Sequence, residues 1–247
     1  MNKTVTAALL VIGDEILSGR TKDRNIGYIA EYLTNIGVEL REARVVPDVE
    51  DEIVVALNAL RQSYTYVFTT GGIGPTHDDI TADAVAKAFG VSIDEDERII
   101  AMMLKRYKPG ELTAARRRMA RVPKGATLVE NPISLVPGFR IGNVIVMAGV
   151  PTIMQAMLDG AAKDLETGAK VLAETIEAGN IAEGRYGDPL AKIAAAHQGV
   201  TIGSYPAFAD GRFKNQIVIR SKDATLIAAA RRDVETMLAG LGEEAPR

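Results

Sequence analysis

Cysteine is absent from this 247-residue chain. Its absence excludes a disulfide scaffold, a zinc site built on thiolates and a thiol nucleophile, and is neutral on redox compartment. A strong charge of either sign is also lacking. The formal net charge is −3, so bulk electrostatics give no reason to expect nucleic acid. No apolar run reaches the ~18 residues of a membrane span, and no basic-then-apolar leader with a cleavage site opens the chain. The expectation is a cytoplasmic protein engaging neither membrane nor nucleic acid. Histidine is scarce, and no Ser-His-Asp constellation can be argued. No internal repeat or low-complexity stretch stands out.

Apolar residues make up 47% of the chain, enough for a substantial core in one large domain or a medium one with a smaller partner. Val5 to Ile12 is a near-continuous apolar run, as expected for a strand buried on both faces. Ile26, Ile29, Ala30, Leu33 and Ile36 recur at helical spacing before Gly37. Val38 to Val46 and Tyr66 to Thr70 read as further strands. Between them Ile53, Val54, Leu57 and Leu60 mark a second helix, and Ile80 to Phe89 marks a third. This β-α-β-α-β-α order predicts a doubly wound, mainly parallel α/β sheet. Asp94 to Arg121 reads as helical, broken at Pro109-Gly110. Thr127 to Met147 holds short strands with a hairpin turn at Gly142-Asn143, and Pro151 to Leu165 closes the first domain as a helix. Residues 1–166 are therefore expected to form the α/β domain. Residues 167–247 read as a small β-α-β-β-α domain, with strands over Ala169 to Ala178, Val200 to Tyr205 and Arg212 to Arg220, a helix over Pro189 to His197, and a long final helix.

The most informative segment runs from Tyr66 to Thr81. A β-branched and aromatic strand feeds the glycine-rich turn Thr70-Gly71-Gly72-Ile73-Gly74-Pro75-Thr76, and the turn is expected to open a helix with Asp78 and Asp79 in its first turn. Glycines let backbone N–H groups approach a ligand, and a helix N-terminus favours an anion such as phosphate. Two carboxylates beside a phosphate repel it unless a cation intervenes, so the loop suggests a phosphorylated ligand together with a divalent metal. The dinucleotide fingerprint does not fit, because His77 stands where its third glycine belongs. No Gly-Lys-Ser/Thr follows, so this is no P-loop. Thr76-x-x-Asp79 also reads as a capping box, which is structural.

Gly13-Asp14-Glu15 ends the first strand, and its acids serve equally well as turn residues or as holders of a metal water or ligand hydroxyl. Asp23 and Asn25 suit a helix N-cap. Asp48 reads first as the N-cap of the second helix and gains interest only from lying at the same end of the sheet as Asp79. Lys105 to Lys124 holds eight basic residues against Glu111. Arg117 and Arg121 are spaced to share a helix face, as a solvated surface or as a grip on pyrophosphate, with no interleaved aromatics for RNA. His77 in its turn is a candidate metal ligand or base that more often serves as neither, and His197 reads as a surface residue.

The segment Thr69 to Thr81 resembles the signature of the molybdopterin-binding fold of molybdenum-cofactor biosynthesis proteins, of gephyrin's N-terminal domain and of eukaryotic FAD synthase. It is most similar to the competence/damage-inducible type. Gly13-Asp14-Glu15-Ile16-Leu17-x-Gly19, Asp23-x-Asn25, Val122-Pro123-x-Gly125-Ala126, Asn131-Pro132, Pro137-Gly138, Gly149-x-Pro151 and Gly203-Ser204-Tyr205-Pro206 follow that type's order. Arg116 departs from it, standing where the type usually has Asn. Full-length members carry a further amidohydrolase domain that deamidates nicotinamide mononucleotide. This chain stops before it, so that activity is expected to be absent.

The resemblance implies a metal-dependent pyrophosphatase acting on ADP-ribose or a similar dinucleotide cofactor. The alternatives are a non-catalytic molybdopterin or nucleotide binder, or a molybdopterin adenylyltransferase. Asp48 and Asp79 are the implied catalytic acids, and Asp78 and Asp79 the metal ligands. Gly13, Asp14, Glu15, Thr70, Gly71, Gly72, Gly74, Pro75 and Thr76 are the implied ligand contacts. Magnesium, manganese or cobalt suits the oxygen donors, and molybdopterin is a possible ligand. Members often assemble as homo-oligomers, which is the expectation here.

Overall fold

A computed structural model describes residues 3–209 and 212–243. The chain forms two units, Met1–Gly168 and Ala169–Arg247. The first unit starts with β1 (Val5–Ile12), a one-turn helix α1 (Asp14–Leu17), α2 (Asn25–Asn35), β2 (Val38–Val46), α3 (Glu50–Ser63), β3 (Tyr66–Thr70) and α4 (Thr81–Phe89). It continues through β4 (Ile93–Glu95), α5 (Glu97–Leu104), α6 (Ala114–Arg118), β5 (Arg121–Pro123), β6 (Thr127–Val129), β7 (Gly138–Ile141), β8 (Val144–Met147) and α7 (Pro151–Ala162).

Six strands form one sheet in the order β2-β1-β3-β8-β7-β6. β2, β1, β3 and β8 are parallel, and β7 runs against both of its neighbours. The two-residue turn Gly142-Asn143 joins β7 to β8, with Ile141 opposite Val144. The continuous apolar run of β1 is explained by its two covered faces. Ala8, Leu10 and Ile12 pack with Ile53, Leu57 and Leu60 of α3 and Val85 of α4. Val5, Ala7, Leu9 and Val11 pack with Ile29 and Leu33 of α2 and Met154 and Leu158 of α7. Alternation along a strand sends successive side chains to opposite layers, so a strand in the middle of three layers has no polar face. The chain leaves β1 for β2 on one side and returns for β3 on the other. The carboxyl ends of β1 and β3 therefore flank the switch point where such sheets bind ligands.

The segment expected to be one broken helix is different. Ile93–Glu95 and Arg121–Pro123 pair as antiparallel strands, with Glu95 opposite Arg121. Only α5, a 3-10 turn at Pro109–Glu111 and the five-residue α6 lie between them. Arg121 is thus in a strand and shares no helix face with Arg117. Local helix propensity in this charged stretch yields to cross-strand pairing.

The second unit comprises β9 (Leu172–Gly179), α8 (Glu183–Ala196), β10 (Thr201–Tyr205), a small hairpin of β11 (Phe208–Ala209) and β12 (Arg212–Phe213), then β13 (Asn215–Ser221) and α9 (Ala224–Glu243). β10, β13 and β9 form an antiparallel sheet. Ile176, Ile217, Ile219, Tyr186, Ile227 and Val234 form its core. Pro189 lies inside α8 and does not start it. His197, expected at the surface, is 16% exposed in its side chain and bonds Asp233 Oδ2 through Nε2 at 2.7 Å.

Candidate functional site

Three loops meet at the carboxyl edge of the sheet: residues 13–24 after β1, residues 71–80 after β3, and residues 148–150 after β8. Their contact requires glycine. A Cβ on Gly71, whose φ is +103°, would lie 2.1 Å from the Ile12 carbonyl oxygen. On Gly149 the nearest atom would be Gly71 Cα at 3.2 Å. The first duty of these glycines is therefore close backbone packing.

The glycine loop holds its shape through Asp79. Asp79 Oδ1 accepts from Gly74 N–H at 2.7 Å, and Oδ2 accepts from Thr76 N–H at 2.8 Å and from Thr76 Oγ1 at 2.5 Å. The Gly71 amide donates to the Met147 carbonyl at 3.3 Å. The expectation of bare amides on a helix N-terminus is thereby corrected. α4 begins only at Thr81, with Ile80 before it and no side-chain cap. Asp78 and Asp79 precede the helix, and the anion resting on the loop amides is the chain's own carboxylate. Thr81 completes the loop, its hydroxyl donating to the Gly71 carbonyl at 3.0 Å and its N–H to the Gly72 carbonyl at 3.0 Å.

Asp48 is not the cap of α3. That helix starts at Glu50 after Val49, without a side-chain cap. Asp48 Oδ2 instead accepts the Asp14 N–H at 3.0 Å, joining the loop after β2 to the loop after β1. Burial pushes the Asp48 carboxyl above its ordinary range. The Asp14 N–H opposes that shift, and repulsion from Asp14, Glu15 and Asp78 adds to it. Asp78 is held low by the nearby Thr76 hydroxyl, whose proton goes to Asp79, and by its own backbone N–H and His77. Four carboxylates thus share one rim. His77 itself is 99% exposed in its side chain and lies 3.9 Å from Asp78. Asp23 caps α2 as expected, accepting from the Asn25 and Ile26 amides at 3.1 and 2.8 Å.

A cavity of about 540 Å³ opens over the glycine loop. Glu15, Gly71, Gly72, Gly74 and Asp79 line it, and Tyr107, Met119, Val136 and Ile153 give it apolar walls. Of the residues expected at the site, Gly13, Asp14, Asp48, Thr70, Pro75, Thr76 and Asp78 lie outside this lining. Thr70 is 1% exposed, and its buried hydroxyl finds no partner. The apolar wall residues had no local motif to mark them. Asn131 did, in Asn131-Pro132. Its side chain accepts from the Ile133 and Ser134 amides at 3.1 Å each and donates to the Val136 carbonyl at 2.8 Å, fixing the far wall.

The basic segment does not reach the cavity as a phosphate grip. Arg117 pairs with Glu95, and Arg121 with Asp83. Arg116 stacks on Tyr107 with its guanidinium 4.2 Å from the ring centre. Arg118 donates to the Asp79 carbonyl at 3.3 Å, behind the loop.

Among the described residues no three His, Cys, Asp or Glu side chains stand close enough together to hold a metal ion. A protein-only cage therefore does not fit. Hard oxygen donors such as one or two of Asp14, Asp48 and Asp78 would suit a cation only where ligand phosphates and water complete its shell. Among the described residues no helix is long and apolar enough to cross a membrane.

Comparison with known proteins agrees with this arrangement. The sequence pattern of a probable molybdopterin binding domain matches residues 8–167, and that of the FAD synthase middle domain matches residues 170–242. Protein Ta0487 of Thermoplasma acidophilum is 31% identical over 244 residues, covering 97% of this chain and 95% of its own length. A probable FAD synthase of Caenorhabditis briggsae is 31% identical over 261 residues, covering 95% of this chain, which spans only 50% of that relative. The crystal structure of the protein CinA from Thermoplasma acidophilum, described as of unknown function, superposes with a TM-score of 0.62 at 37% identity, over 65% of this chain and 98% of that one. By its fold, its switch-point loops and this match to most of its length, the chain belongs to the molybdopterin-binding domain family.

Proposed function

We propose that the α/β unit binds a ring-bearing phosphorylated ligand, a nucleotide or a pterin, and hydrolyses a diphosphate linkage such as that of ADP-ribose with a divalent cation. The observation that carries the reading is a cavity with apolar walls at the switch point of the sheet, lined by Glu15 and Asp79, with Asp14, Asp48 and Asp78 in the adjoining loops. An aromatic ring suits the Tyr107, Met119 and Ile153 walls. A row of carboxylates with a repelled Asp48 suits a site completed by positive charge.

The chain's residues then divide the work. Asp79 holds the loop over which the ring lies. Asp14 and Asp78 are the residues that would contact a magnesium, manganese or cobalt ion. Such an ion, when bound, neutralises phosphate charge and activates water. Asp48, fixed through Oδ2 by the Asp14 amide, orients the attacking water with Oδ1. Water adds to one phosphorus, the bridging P–O bond breaks, and two phosphate monoesters leave with the water's protons shared between products and solvent. The FAD synthase-like relatives favour a nucleotide over a pterin.

The test incubates the full chain with ADP-ribose or FAD and each metal, and follows the products by phosphorus NMR. Metal-dependent appearance of AMP that is lost in Asp14→Asn and Asp48→Asn supports hydrolysis. Ligand binding by calorimetry with no product under any metal refutes hydrolysis and leaves a binding protein.

A further inference from the structure

Of the loop amides expected to hold phosphate, those of Gly71, Gly74 and Thr76 already have partners within the chain, so a diphosphate calls for further donors. The segment between α1 and α2 offers the means. Arg20, Lys22 and Arg24 alternate along it, are exposed, and line a second cavity of about 490 Å³. This cavity shares Glu15, Thr21, Gly149 and Pro151 with the first, so the two lie side by side. Arg117 and Arg121 are spent on ion pairs, and Arg118 gives one bond to the Asp79 carbonyl while its Nε finds no partner among the described residues. Arg20, Lys22 and Arg24 take part in none of the ion pairs or side-chain hydrogen bonds found among the described residues. The acids on this lining are Glu15 and Asp23, and Asp23 is committed to the amides of α2.

Two further features face the same space. α7 runs for 12 residues from Pro151, with no side-chain cap and no acid in its first turn, so its free N–H groups and dipole favour an anion here. Asn25, 5% exposed, lines the cavity and donates Nδ2 to the Gly149 carbonyl at 2.8 Å. Three cations and the open start of a helix on one wall favour an anionic occupant.

We propose that this second cavity, ringed by Arg20, Lys22 and Arg24 at the open start of α7, seats the diphosphate of the ligand whose ring fills the cavity over the glycine loop. The assignment rests on the functional reading above. It makes the 20–24 segment the determinant of phosphate number, so the site selects nucleoside diphosphates over nucleosides.

The experiment measures binding of adenosine, ADP and inorganic pyrophosphate to the full chain by calorimetry. The wild type is compared with the triple variant Arg20→Gln, Lys22→Gln, Arg24→Gln and with the charge-keeping triple Arg20→Lys, Lys22→Arg, Arg24→Lys. The expected result is that the neutral triple binds ADP and pyrophosphate at least about tenfold more weakly, the loss of charge-assisted bonds, with adenosine unchanged. The charge-keeping triple restores binding, and salt weakens ADP binding in the wild type more than in the neutral triple. Equal ADP affinity in wild type and neutral triple overturns the seat while leaving the ring cavity standing. Pyrophosphate binding that is lost in the neutral triple, without nucleoside binding, supports the seat and overturns the nucleotide reading. No binding of any probe to the wild type overturns both.

Discussion

Replacing Asp79 with alanine separates a loop-holding role from a metal-holding one. The substitution removes the acceptor of three hydrogen bonds, from Gly74 N–H at 2.7 Å, Thr76 N–H at 2.8 Å and Thr76 Oγ1 at 2.5 Å. A bond to an ionised acceptor contributes about 1.5–3 kcal/mol when its donor is otherwise unmet. Thr76 is exposed and Gly74 half-buried, so water recovers part of each loss. The net cost is then about 2–4 kcal/mol for the set. In a unit of this size each kcal/mol lowers the melting temperature by about 2–4 °C, so the variant melts about 4–16 °C lower. Asp79→Asn keeps one acceptor oxygen and falls between. Differential scanning calorimetry of the full chain without added metal reads the shift. A second arm follows from geometry: the freed amides of Gly74 and Thr76 become an anion seat, so sulfate raises the melting temperature of Asp79→Ala more than that of wild type. A shift below about 1 °C together with an unchanged sulfate response would falsify the idea that Asp79 is the loop's own anion.

Other outcomes follow from the same geometry. Gly71→Ala forces a Cβ to 2.1 Å from the Ile12 carbonyl at a φ of +103°, and the unit should lose more than about 3 kcal/mol in urea denaturation. Asp48→Asn still accepts the Asp14 N–H but removes a charge opposed by burial and by Asp14, Glu15 and Asp78. Its stability should stay within about 1 kcal/mol of wild type or rise, while diphosphate cleavage is lost. A clear fall in stability with activity kept would reverse that assignment. Asp96 caps α5 by accepting the Arg98 N–H at 2.8 Å, and the Arg98 side chain, followed by backbone donors, holds its carboxyl below the ordinary value. A lowered folded value means that its contribution is full above the unfolded pKa of about 3.9 and fades as pH falls through the folded one. Asp96→Ala should therefore cost about 1 kcal/mol at pH 7 and progressively less below about pH 4, measured as urea midpoints across pH.

Much of the α/β unit was legible because its signals are local. The run Val5 to Ile12 could only be a doubly buried strand, and Gly142-Asn143 could only be a tight turn between strands. β4 and β5 were not legible. Three residues each, rich in acids and arginine, they become strands through pairing across 25 intervening residues, from Glu95 to Arg121. His197 was misplaced for the same reason, since its partner Asp233 comes from another helix.

The site divides along the same line, and the division separates two acids that share the same pair of readings. A glycine turn followed by an acid has two physical solutions: the amides receive an anion from outside, or the acid folds back and becomes that anion. Both need glycine for the turn and a carboxylate nearby, so residue types alone do not separate them. Geometry does, because Asp79 is five residues from Gly74 and three from Thr76 and reaches both amides at once. Asp48 shows the converse. Its adjacency to a helix made capping the simplest expectation, yet its partner, the Asp14 amide, lies 34 residues away on the neighbouring strand's loop. Asp79, read both as a catalytic acid and as part of a capping box, supports the loop, and Asp48, read both as a cap and as a catalytic acid, is half-buried and repelled by neighbouring carboxylates. A carboxylate that a fold partly buries among other carboxylates, with one amide as its hydrogen-bond partner, is the better guide to where a charged ligand or ion belongs.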